Sequence, residues 1–191
     1  EVIPSFFLKK LKSSQQECIF IFYNWDSYEN NPNAISIFNF FDRRFTFDPQ
    51  DAKGFNLDFR PLFFIDIYKK INESRNPKYK VLFLGTAHSD RYRISNYIKK
   101  WSAQNNYSTF MYYYMQSRLV YFLKSNFDKS YMGVKDFNYK DISFKSLNIN
   151  EIINYYENSS IILDVNLPNQ RGLTMRTFEA FGAGKKIITT N

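Results

Sequence analysis

The sequence predicts an α/β protein built on a mostly parallel, doubly wound sheet. From about residue 80 onward, compact apolar runs alternate with stretches of helical length, the pattern of successive right-handed βαβ units. A hydrophobic fraction of 44% and a charged fraction of 23% are ordinary for a globular chain and argue against disorder. At 191 residues the chain is long enough to bury a sizeable core, as one large domain or as one domain and part of a second.

The elements follow in order. Residues 1–12 suit a short helix, and 18–23 read as a buried strand that leads into a polar, turn-prone stretch over 24–33. Residues 34–41 are too apolar for a surface loop, and 44–47 suit a short strand. Asp48 then serves as N-cap with Pro49 at the first helical position, and Gly54 ends that helical turn. Residues 57–64 are strand-like, and 72–77 form the most linker-like stretch. Thereafter strands are expected at 80–84, 108–112, 142–147, 160–165 and 186–190, with helices at 89–104, 116–124, 150–157 and 173–182. Residues 128–141 read as irregular. Neither an internal repeat nor a low-complexity tract interrupts the pattern.

Composition narrows the function classes. The aromatic content of 20% accompanies abundant Asn, Lys and Ile, the bias of an AT-rich genome, so aromatic stripes carry little functional weight. A net charge of +8 favours phosphate-bearing partners, but the basic pairs Lys9-Lys10, Lys69-Lys70 and Lys99-Lys100 are expected at helix ends, where cations offset the dipole. Without a basic run or an RNA-recognition or helix-turn-helix signature, the partner is not expected to be nucleic acid. The single cysteine, Cys18, lies in an apolar run and reads as a buried structural thiol in a reducing compartment. No apolar stretch is long enough to span a bilayer, and no signal-peptide core opens the chain. The expected location is the cytoplasm, with peripheral contact at the inner face of the cytoplasmic membrane as the one alternative. The start at Glu1 and the stop at Asn191 after a strand-like run suggest a fragment of a longer chain or a processed form.

In an open parallel sheet the ligand sits beyond the carboxyl ends of the strands, beside helix N-termini that favour phosphate. Two stretches fit. In the first, Gly85 permits a tight turn, Ser89 or Asp90 can cap the next helix, and Arg91 lies in its first turn, where a cation is disfavoured unless an anion is near. His88, the only histidine, is the one candidate for catalysis and could bond a phosphate or a sugar hydroxyl; a plain cap beside a solvent-exposed histidine explains the stretch equally well. In the second, Arg171 and the amides from Gly172 to Thr174 would seat a diphosphate, and Glu179 would accept bonds from a ribose. Here the alternative is a surface ion pair between Arg176 and Glu179 with glycines serving only as a C-cap. No D-x-D pair or His/Cys cluster suggests a metal, and no cofactor is implied beyond the substrate.

The segment Arg171-Gly-Leu-Thr-Met-Arg-Thr-Phe-Glu-Ala-Phe-Gly-Ala-Gly-Lys-Lys-Ile-Ile-Thr-Thr-Asn191 resembles the donor-site segment of GT-B glycosyltransferases: an acidic residue, seven others, a glutamate, a small-residue turn and an apolar strand. Glu179 matches the glutamate that holds the nucleotide ribose, whereas the position eight before it is Arg171 rather than an acid. That departure, with Phe45-Thr-Phe-Asp-Pro-Gln-Asp51, Phe59-Arg-Pro-Leu-Phe63 and Leu84-Gly-Thr-Ala-His-Ser-Asp-Arg91, is similar to the bacterial subgroup of lipopolysaccharide core and capsular polysaccharide synthesis. The resemblance covers the chain from about residue 40. It implies a Rossmann-like donor domain over 79–191, truncated at its C-terminal end, a linker over 61–78, and the tail of an acceptor-side domain over 1–60. It also implies metal-independent transfer of a sugar from a nucleoside diphosphate sugar to a lipopolysaccharide or glycan acceptor. Donor contacts would come from Gly85, His88, Arg91, Arg171, Gly172, Thr174 and Glu179. A non-catalytic nucleotide-binding or regulatory domain of the same fold, or less readily a basic nucleic-acid binder, are the rival readings.

Overall fold

The computed structural model describes residues 3–72, 74–127 and 137–191. The chain divides into two compact units, each α/β with a parallel sheet. The first unit comprises Glu1–Phe63, Asn169–Thr174 and Asn191; the second comprises Phe64–Pro168 and Met175–Thr190.

The first unit opens with α1 (Ser5–Ser14), followed by a three-stranded sheet in the order β1 (Ile21–Asn24), β2 (Arg43–Thr46), β3 (Asp58–Phe59). Ile21 pairs with Arg43 and Phe45 with Asp58. The apolar run after Pro32 forms a 3-10 helix, Pro32–Phe40, whose Ala34 and Phe38 pack with Tyr28 and Leu57. Helix α2 (Pro49–Phe55) begins as the sequence indicates: Asp48 accepts the amides of Gln50 and Asp51, and Pro49 needs no donor there. Its end differs. The helix runs past Gly54, and Asn56 takes the left-handed conformation at φ 52°, with its N–H on the Ala52 carbonyl; asparagine tolerates that geometry nearly as well as glycine. The strand expected over 57–64 shrinks to Asp58–Phe59, since Pro61 has no N–H to continue a ladder. Cys18 is a further correction: it is exposed, as is Ile19, because both precede β1, which begins only at Ile21 and so leaves them outside the sheet.

The second unit holds a five-stranded, all-parallel sheet in the order β6-β5-β4-β7-β8. Its strands are β4 (Tyr79–Thr86), β5 (Thr109–Tyr114), β6 (Ile142–Ser143), β7 (Ser159–Asp164) and β8 (Lys186–Thr189). The chain enters at β4, winds outward through β5 and β6, and returns to place β7 on the other side of β4, which makes a Rossmann-like order with its switch point between β4 and β7. Successive residues of β4 feed opposite faces. Val81 and Phe83 pack beneath α3 (Arg91–Gln104) and α4 (Arg118–Phe127), whereas Leu82 and Leu84 pack with residues of α5 (Ile149–Glu157) and α6 (Met175–Gly182). Leu82, fully buried, contributes about 2 kcal/mol through burial alone. Helix α5 starts with a full capping box, in which Asn148 accepts the Glu151 amide and Glu151 accepts that of Asn148. The strand expected at 142–147 is cut to a residue pair because the Ser143 hydroxyl turns the chain by accepting the Lys145 amide at 3.3 Å. Of the stretch read as irregular, 128–136 lies outside the described residues; Tyr139–Asp141 is a short 3-10 turn. Among the described residues no helix is long and apolar enough to cross a membrane.

Candidate functional site

At the switch point the carboxyl ends of β4 and β7 leave a crevice, and Arg91 spans it. From the first turn of α3 its Nε donates to the Val165 carbonyl at 3.1 Å, and its Nη1 donates to the Thr86 hydroxyl at 2.7 Å and the Thr86 carbonyl at 3.3 Å. Both strand ends are thus tied by one planar group, and Nη2 donates to none of the described residues. Burial, and then the like charge of Arg176, hold the Arg91 pKa down to about 10, against the pull of Asp164. The group stays cationic at neutral pH. Asp164, at the end of β7 and 3% exposed, accepts the Thr177 hydroxyl at 2.6 Å and is the anion beside this helix start.

The turn before α3 departs from a plain cap. Ser89 has φ 47° and Asp90 occupies the N-cap, yet the Asp90 side chain makes no capping bond and pairs with Arg93 at 3.2 Å on the surface. His88 is not the solvent-exposed histidine of the bland reading: it is half-buried, with Nδ1 3.0 Å from the Ser89 hydroxyl. Burial first, then Arg91 and Lys124, push its pKa down to about 3. A neutral imidazole of that pKa binds hydrogen-bonding groups but is a poor general base.

On the α5 face a cavity of about 210 Å³ opens over the ends of β4 and β5, walled by Leu84, Thr86, Tyr112, Tyr114, Leu147 and Arg176. Gly85 lies in its wall and is required to be small, since a Cβ there would meet the Phe83 ring at 2.7 Å. Arg176 and Glu179 form the ion pair expected from their spacing, at 3.1 Å, but not as a surface pair: their side chains are 24% and 17% exposed. Arg176 Nη1 also donates to the Tyr156 hydroxyl at 3.2 Å, and that hydroxyl donates to Glu179 Oε2 at 3.4 Å. Burial works against the charge on Arg176, but Tyr156 and Glu179 keep its pKa above the ordinary value. Burial also pushes the Tyr156 phenol up to about 12. The result is a neutralised, hydrogen-bonded network whose cationic end faces the cavity.

Of the sequence-predicted residues, Gly85, His88, Arg91 and Glu179 belong to the second unit, and Arg171, Gly172 and Thr174 to the first. In the first unit the amides of Arg171 and Gly172 are not open to a phosphate: both donate to Asp48 Oδ2, at 2.8 and 3.0 Å. Gly172 is required by close approach, since a Cβ would lie 2.5 Å from the Phe47 ring and 2.6 Å from its carbonyl oxygen. The Arg171 side chain is exposed, and Thr174 is half-buried immediately before α6. Sequence reasoning passed over Thr86, Tyr156 and Asp164, and gave Asp48 only its capping role. A hydroxyl at a strand end and an acid at the close of an apolar strand were the signals that pointed to Thr86 and Asp164.

No family model and no curated protein matches the sequence. A solved chain described as "Glycosylation Associate Protein (Gap123) complex from Streptococcus agalactiae" aligns over 100% of this chain at 13% identity with a TM-score of 0.48, and this chain spans 41% of its length.

Proposed function

We propose that the five-stranded unit binds a nucleoside diphosphate sugar and that the chain is the donor-side part of a GT-B type glycosyltransferase acting on a lipopolysaccharide or capsular glycan acceptor. The observation that carries this reading is a pair of arginines at the carboxyl ends of a parallel sheet: Arg91 spans the ends of β4 and β7, and Arg176 walls the cavity over the ends of β4 and β5. A diphosphate inserted there would take charge-assisted, bidentate bonds. Tyr112, Tyr114 and Leu147 offer the nucleoside an apolar wall; Glu179 is assigned to the ribose, and Gly85 and His88 to the sugar. Transfer places growing negative charge on the leaving diphosphate, and preorganised guanidinium groups stabilise it more in the transition state than in the ground state. The general base is assigned to the acceptor side, given the low basicity of His88.

Calorimetric titration with UDP, GDP, ADP and CMP tests this. One nucleoside diphosphate is expected to bind saturably, and Arg91→Ala to weaken it ten- to a hundredfold. A folded protein that binds none of them, or that binds RNA with steep salt dependence instead, would overturn the reading.

A further inference from the structure

Behind the Arg176 wall of the cavity stands a buried hydroxyl that the proposed chemistry leaves unused. Ile152 lines the cavity, and Tyr156 follows four residues later on the same face of α5, where side chains lean toward the start of the helix. The Tyr156 side chain is fully buried. Its hydroxyl accepts Arg176 Nη1 at 3.2 Å and donates to Glu179 Oε2 at 3.4 Å, and the 3.1 Å ion pair between those two residues closes a ring of three contacts. The Tyr68 ring, also buried, meets the Tyr156 ring edge-on with centroids 5.3 Å apart and so restricts it. All of these contacts reach Arg176 through one nitrogen. Its Nε and Nη2 donate to none of the described residues, although the side chain is only 24% exposed and lines the cavity. Buried donors without acceptors are costly, and in a planar guanidinium held at one nitrogen the direction of the other donors is set.

We infer that Tyr156 is a positioning residue acting through Arg176: its hydroxyl, held between the guanidinium and the Glu179 carboxylate, occupies Nη1, so that Nε and Nη2 are the donors left to a phosphate in the cavity. The inference rests on the nucleotide-binding reading above. Tyr156→Phe removes the hydroxyl and keeps the ring. Affinity for the best-binding nucleoside diphosphate should fall about five- to tenfold in the wild-type background and less than about twofold in Arg176→Ala. Tyr113→Phe, which deletes another buried hydroxyl, bonded to Ser95 on the opposite face of the sheet, should leave affinity unchanged. Equal losses from Tyr156→Phe in both backgrounds, or a similar loss from Tyr113→Phe, would overturn the inference, since they mark a general loosening of the unit. Side-chain NMR of Arg176 needs no ligand. In the free wild-type protein the Nη1 and Nη2 protons should give separate signals, because the guanidinium is held against rotation about Nε–Cζ, and in Tyr156→Phe they should merge. That result upholds the positioning even if no nucleoside diphosphate binds, an outcome that fails the functional reading alone; merged signals in the wild type, or signals unaltered by Tyr156→Phe, overturn the positioning itself.

Discussion

After β2 and after β4 the chain turns into a helix with an aspartate at the N-cap, yet the two turns are completed in opposite ways. In the first, Asp48 is buried and its carboxylate satisfies four backbone amides, two local and two from a distant loop. In the second, Asp90 stays at the surface with Arg93, and Arg91 is the residue that reaches inward, its guanidinium satisfying carbonyls at two strand ends. An anion closes a site made of N–H groups, and a cation closes one made of C=O groups. The lesson is that a loop apparently open to a ligand can be partly filled by the protein itself, and that what remains for the ligand is the unused side of the filling group.

The contrast can be broken by substitution. Asp48→Ala removes a cap and leaves two inward amides without an acceptor, and should cost about 3–5 kcal/mol by chemical denaturation. A glycine comparison comes next. Gly172→Ala drives a Cβ into a backbone carbonyl as well as a ring and should cost about 2–3 kcal/mol, whereas Gly85→Ala meets only the far end of the Phe83 ring and should cost about 1 kcal/mol. Reversal of that order would mean that the 169–174 loop is not held as described. His88 sharpens the second turn. Its folded pKa of about 3 lies below the ordinary 6.5, so in that window the unfolded chain takes up a proton that the folded protein refuses. Stability should therefore fall as pH drops from 6.5 toward 3, by up to about 1.4 kcal/mol per pH unit, and His88→Gln should remove that part of the slope. The smallest effect belongs to Asp90→Ala, below about 0.5 kcal/mol, because an exposed pair is all it breaks.

The alternation of strands and helices was legible because it is written locally. Leu82 and Leu84 against Val81 and Phe83, Asn148 three before Glu151, and Asp48 before Pro49 each declare their element within a few residues. What escaped depends on partners far along the chain. Nothing near Asp48 announces an amide 123 residues away, and nothing near Arg176 announces that Tyr156 will bury its ion pair. Cys18 failed for the converse reason: an apolar run promises a buried strand, but the strand starts only at Ile21 and leaves Cys18 on the exposed approach to it. Of the candidate site, the turn from Gly85 to Arg91 at the end of β4 was legible in the five-stranded unit, but not which of its polar groups the fold would consume.

The central claim is that Arg91 and Arg176 form a diphosphate seat at the ends of the parallel strands. Titration of the best-binding nucleoside diphosphate into wild-type and Arg91→Lys protein tests it most directly, since lysine keeps the charge but loses the planar fork that ties β4 to β7 while facing a ligand. At least tenfold weaker binding is expected of a variant that remains folded. Undiminished affinity in Arg91→Lys and Arg91→Ala alike would contradict it.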